Sequence, residues 1–204
     1  EGDHDHSDEE KDEDHDHEHG EGDHHHHHDG EDPHFWTDPM RMADAVEGIV
    51  GFPQDTVDFA DPAAVDASAD AYIAELTALN DEIEAMVETV AEDDRKLVTN
   101  HLAFGYFADA FGFAQIGTVI PGGSTTDTTS GGELAELIEV VEAEGVPAVF
   151  SDNTASDELI QVLAEEAGGV TIVELLSGSL SDPGSEGDTY LDMQRVNAER
   201  ITSA

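Results

Sequence analysis

The chain has 204 residues, of which 50 are acidic and 6 basic, giving a formal charge of -44 at neutral pH. Six scattered cations (Lys11, Arg41, Arg95, Lys96, Arg195 and Arg200) cannot assemble the basic surface that nucleic-acid phosphates need, and an anionic membrane surface is disfavoured for the same reason. The absence of cysteine excludes disulfides and thiolate metal sites, and no run approaches the roughly 18 apolar residues of a membrane helix.

The acid is not confined to a tail. Asp81, Glu82, Glu84 and Glu88 fall within one stretch of clear apolar periodicity. Compact folding under such self-repulsion is easier in salt, which shortens the Debye length to about 3 Å near 1 M. A halophilic source is therefore expected. An acidic mesophile is the alternative, because net charge speaks to solubility and not to fold.

Residues 1–31 contain only charged or polar residues and glycine, including ten of the twelve histidines: His4, His6, His15, His17, His19, His24, His25, His26, His27 and His28. Nothing here can be buried, which predicts a disordered loop or tail. The chain opens at Glu1 with neither a basic n-region nor an apolar h-region, and we read it as a fragment.

From Asp32 the pattern is globular. Asp38-Pro39 reads as N-cap and first position of a helix over Met40 to Val50. Asp61-Pro62 repeats that signal before a helix expected to run through 63–94, with Val65, Tyr72, Ile73, Leu76, Leu79, Ile83, Met86, Val87 and Val90 at three- and four-residue intervals. At 1.5 Å per residue it would be roughly 45 Å long.

Strand and helix then alternate: strand Lys96 to Thr99, helix Leu102 to Phe111 ended by Gly112, strand Phe113 to Ile120, and helix Ser130 to Glu144 ended by Gly145. Strand Pro147 to Phe150, helix Ser156 to Ala167, strand Val170 to Leu175 and a final helix from Thr189 follow. This alternation predicts an α/β lobe with a parallel sheet wrapped by helices. The organisation expected is a His/Asp/Glu-rich loop over 1–31, a remnant of another lobe over 32–60, a long linking helix over 61–94 and a complete C-terminal α/β lobe over 95–204. A helix that long needs a partner at its far end.

The histidine tract alternates imidazole with carboxylate, which suits zinc, copper, nickel or iron in several weak, exchangeable sites. A purification tag would explain His24 to His28 but not His4 to His19. Outside the tract only His34 and His101 remain. His101 follows a predicted strand, the position where open α/β sheets bind ligands, although a lone histidine there is more often a satisfied polar residue. Phe104, Tyr106, Phe107, Phe111 and Phe113 read as core. Phe35 and Trp36 either pack or shield a metal. Ser124, Thr125, Thr126 and Asp127 lack the lysine of a phosphate loop and read as a turn.

The segments DPHFWTDP (residues 32–39) and VTNHLAFGYFADAFG (98–112) resemble the second and third metal-histidine motifs of the ABC-transporter solute-binding proteins that deliver zinc or manganese. The acidic His-rich stretch ahead of them resembles the charged loop of the zinc-specific members. Residues 123–156 and 187–201 resemble later segments of the same family.

The resemblance implies a two-lobe fold joined by a rigid long helix, with His34 and His101 as metal ligands in the cleft. It also implies a first metal histidine upstream of the His-rich loop, so that most of the N-terminal lobe is absent and cleft binding by this chain alone is weakened. The family's acidic ligand position falls on Gly178, and Asp182, four residues on, is the candidate substitute. Three histidines and a mobile fourth ligand suit zinc, whereas manganese wants more oxygen.

The implied function is extracytoplasmic (periplasmic or anchored at the cell surface) capture of Zn²⁺ by a monomer and its delivery to an ABC permease and ATPase. A manganese receptor and a metal-buffering or adhesion protein on the same fold are the alternatives. A metalloenzyme is disfavoured, since no HExxH pattern and no acid suited to act as base adjoins His34 or His101.

Overall fold

The computed structural model describes residues 32–51, 61–121, 129–154 and 156–204. The histidine tract and the Ser124 to Asp127 turn lie outside the described residues. A 3-10 turn, Phe35–Thr37, leads into α1, Pro39–Gly51. Asp38 Oδ1 accepts from the Met40 and Arg41 amides, satisfying N-terminal donors that the helix itself cannot pair.

Helix α2 runs Pro62–Val87, with the Asp61 side chain accepting from the Ala64 amide and proline in the first turn. Its 26 residues span about 39 Å. It stops seven residues short of the expected end, and the reason is electrostatic. Glu88, Glu92, Asp93 and Asp94 would have crowded negative charge onto the negative end of the helix dipole. Three of these acids instead form a separate 3-10 turn, Glu92–Asp94, and Arg95 Nε donates to the freed Val90 carbonyl.

The remaining elements are β1 Lys96–Thr99, α3 Gly105–Phe111, β2 Ala114–Thr118, α4 Gly131–Glu144, β3 Ala148–Asp152, α5 Glu158–Glu166, β4 Thr171–Leu175 and α6 Tyr190–Thr202. Local signals hold at several ends. Ser130 and Glu133 form a reciprocal capping box on α4, Thr189 caps α6, and Gly112 ends α3 at φ 71°. Helix α3 begins three residues later than expected, because Ala103 N donates to His101 O in a tight turn that must finish first. Strand β3 extends two residues beyond Phe150, to Asp152.

All described strand pairs are parallel, in the order β2-β1-β3-β4. Successive side chains of β1 and β3 enter opposite cores, and β3 is buried at all five positions. Leu97, Ala148 and Phe150 join the core formed with Leu79, Ile83 and Val87 of α2, the α3 phenylalanines, and Ala198 and Ile201 of α6. Val98 and Val149 join the opposite core with Val141 of α4 and Ile160, Leu163 and Ala164 of α5. Helices thus cover both faces of the sheet, as a parallel sheet requires. The buried residues of α2, Leu76, Leu79, Ile83 and Val87, all lie in its C-terminal half. Tyr106, expected in the core, is half-buried; its ring carries the Arg41 guanidinium 4.2 Å from the centroid, and its hydroxyl donates to Asp32 O.

Chain order explains where a site can form. From β1 the chain crosses to β2 on one side, and β3 then pairs on the other side of β1, so the order reverses between β1 and β3. Ligand crevices open beyond the strand carboxyl ends at such a point.

Candidate metal centre

The register of the sheet brings the site together. Thr99 of β1 lies opposite Phe150 of β3, so two residues further on His101 comes level with Asp152. Asp152 in turn lies opposite Leu175 of β4, and two residues beyond Leu175 is Ser177. Three parallel strands therefore deliver His101, Asp152 and Ser177 to one edge. All three are buried.

His34 arrives from outside the sheet. The turn that carries it is held down through Trp36, whose Nε1 donates to Ser177 O at 2.8 Å, while the Trp36 carbonyl accepts from Tyr190 Oη and Gln194 Nε2 at 2.8 and 2.7 Å. The His34 and His101 ring centroids are 5.2 Å apart at an interplanar angle of 67°, although 67 positions separate the residues in sequence. Trp36 packs edge-on against His34, at 5.3 Å.

Each imidazole has a carboxylate beside its Nδ1. Asp32 Oδ1 accepts from the His34 backbone amide at 2.9 Å and sits 2.7 Å from His34 Nδ1. Asp152 Oδ2 lies 3.2 Å from His101 Nδ1, but off the line of a hydrogen bond, and that buried nitrogen has no other partner among the described residues. A carboxylate at Nδ1 favours the tautomer that carries its proton there and leaves Nε2 as a lone-pair donor. Burial pushes the His101 imidazole below its ordinary value, with His34 adding to the effect, and outweighs the opposing pull of Asp152 and Asp32. A ring that resists protonation stays available to a cation.

Asp152, Asp32 and Ser177 escaped the sequence reading. The strand-end rule that singled out His101 would also have found Asp152 and Ser177 had the strands expected over 147–150 and 170–175 been followed two residues past their ends. Asp182 is exposed, and its carbonyl accepts from Ser185 in a turn. Among the described residues no group of three or more His, Asp or Glu is arranged to hold a metal, so Asp182 does not join the two histidines there. A Cβ at Gly178 would stand 3.0 Å from Thr154 Cγ2, which makes the position too tight for a larger side chain without movement.

A parallel sheet with paired histidines at its switch point defines a solute-binding lobe, and solved structures share that fold. Two structures of TroA, one of them from Treponema pallidum, superpose with TM-scores of 0.72 and 0.77 at 25% and 28% identity, covering 85% and 86% of this chain and 63% and 66% of theirs. Residues 3–204 match the family described as ZnuA, zinc-uptake complex component A, periplasmic, and the chain belongs to that family of metal solute-binding proteins, which are not enzymes.

Among curated relatives, the manganese-binding lipoprotein MntA of Halalkalibacterium halodurans is 28% identical over 86% of this chain and 57% of its own length. The zinc-binding lipoprotein AdcA of Streptococcus pneumoniae is 32% identical over 83% of this chain and 33% of its own length. The chain thus spans little more than half the length of MntA and a third of AdcA. Among the described residues no helix is long and apolar enough to cross a membrane.

Proposed function

We propose that this protein is the extracytoplasmic receptor of a metal ABC importer, that it captures Zn²⁺ through His34 and His101, and that it passes the ion to a permease and ATPase. The observation that carries this reading is the 5.2 Å approach of two buried rings whose Nδ1 atoms both face carboxylates. Two neutral imidazole nitrogens favour zinc over manganese, which prefers more oxygen donors. A manganese receptor draws support from the name of the MntA relative, though not from this donor set. We assign residues 32–60 to the lobe that completes the cleft, 61–94 to the link between lobes and 95–204 to the lobe described above. The ten histidines of residues 1–31 gather further ions weakly, raising their concentration near the cleft.

The test is calorimetric titration with zinc. One variant carries His34→Ala with His101→Ala; the other has the ten tract histidines replaced by Asn. The first should lose the tighter event and keep the weaker ones, and the second should do the reverse. Unchanged tight binding in the His34/His101 double variant would sink the assignment. Manganese at equal concentration should fail to displace zinc from the tighter site.

A further inference from the structure

We propose that Ser177 is a positioning residue for both histidines, acting on His101 through Asp152 and on His34 through Trp36. This rests on the reading of the two histidines as cation ligands.

The argument begins with the Asp152 carboxylate, which is 5% exposed and has about four lone-pair directions to satisfy. Its Oδ1 accepts from Thr154 N and Thr154 Oγ1, both at 2.6 Å. Its Oδ2 accepts from Ser177 Oγ. What remains is one direction on Oδ2, and the group facing it is His101 Nδ1. With its other directions taken, Asp152 is not free to bind a cation itself. The role left to it is to receive the Nδ1 proton once the ring turns into line across that 3.2 Å approach, and so to present Nε2. The Ser177 hydroxyl selects which face of Oδ2 is left for the ring.

The Ser177 carbonyl meanwhile accepts from Trp36 Nε1, and the Trp36 indole lies edge-on to His34. One residue on the loop after β4 therefore touches the support of each imidazole, one through its side chain and the other through its backbone. Asn197 fixes the start of that loop by bonding both the amide and the carbonyl of Leu176. A buried clamp of this kind holds ligands in place before the ion arrives, and loss of such an outer-shell partner typically weakens metal binding by about 10- to 100-fold.

The experiment reads the tautomers directly, by long-range ¹H–¹⁵N correlation of histidine-labelled, metal-free protein, well above the ordinary imidazole pKa. Resonances are assigned with His34→Ala and His101→Ala. In the wild type, His101 should carry its proton on Nδ1, the minor form of free histidine. Asp152→Asn should move it to Nε2, because the new amide can donate to Nδ1, while Asp152→Glu should restore Nδ1–H. Ser177→Ala should mix the His101 tautomers and weaken zinc binding about 10- to 100-fold, leaving the His34 tautomer unchanged because the Trp36 bond goes to the backbone.

A wild-type His101 protonated on Nε2 overturns the proposal without any variant, and so does an Asp152→Asn protein that keeps Nδ1–H. If zinc fails to perturb either ring, the metal reading falls and the proposal falls with it. A wrong tautomer in a protein whose two rings still respond to zinc overturns the positioning alone.

Discussion

Trp36→Phe separates the hydrogen bond from the ring. Phenylalanine keeps an aromatic edge near His34 but removes the Nε1 donor, leaving the Ser177 carbonyl without its partner. Ser177 is 3% exposed, so the orphaned acceptor is poorly hydrated, and such groups cost about 1–3 kcal/mol. Because Trp36 itself is only half-buried, water can enter part of the vacated space, and we take about 2 kcal/mol as the expected loss. For a chain of this size that lowers the melting temperature by about 4–8 °C.

Tyr190→Phe supplies the comparison. It removes one donor from the Trp36 carbonyl, but Gln194 Nε2 still donates to the same oxygen at 2.7 Å, so that carbonyl stays paired. Burial holds the Tyr190 phenol protonated, well above its ordinary value, so only a neutral hydrogen bond is lost, at about 0.5–1.5 kcal/mol. Thermal unfolding followed by far-ultraviolet circular dichroism in high salt should rank Trp36→Phe as the more damaging change. If Tyr190→Phe costs as much or more, the claim that the indole bond anchors the His34 turn is refuted.

Two further outcomes follow from charge. Burial lowers the His101 pKa in the folded state, so between the folded value and the ordinary one of about 6.5 the unfolded chain binds more protons; the stability this residue contributes is complete above about pH 6.5 and is lost as pH falls through the folded value. Urea midpoints of metal-free protein should therefore fall more for wild type than for His101→Gln on going from about pH 7.5 to about pH 5.5, and equal falls would contradict the assignment. A net charge of -44 makes salt stabilising: raising KCl from about 0.1 M to about 1 M shortens the Debye length from about 10 Å to about 3 Å and should raise the melting temperature, whereas a flat or falling response would count against a salt-adapted protein.

Much of the fold is legible residue by residue where the causes are local. Ser130 three residues before Glu133, Pro62 after Asp61, and glycines at 112 and 145 mark helix ends, because a few neighbouring backbone groups decide the matter there. Where a longer-range field intervenes, as with the acids at 88–94, periodicity alone carried α2 too far. Parts of the site were readable on the same terms: the strand-end rule marked His101, and the resemblance of residues 32–39 marked His34.

What the sequence could not reveal is which strand lies beside which. The placement of Asp152 next to His101 follows from β3 pairing with β1 in one register, and a slip of a single residue would turn Asp152 to the other face. Ser177 reaches Asp152 and Trp36 only because β4 pairs with β3 and the β4–α6 loop folds back over the switch point. The sequence by itself determined the alternation of strands and helices, their caps and the two histidines available for a site, since each depends on contacts within a turn or two. Tertiary structure alone decided that these histidines meet, that Asp152 stands beside His101, and that one serine links the supports of both. Those contacts span 25 to 141 positions and exist only once packing has set the order and register of the strands.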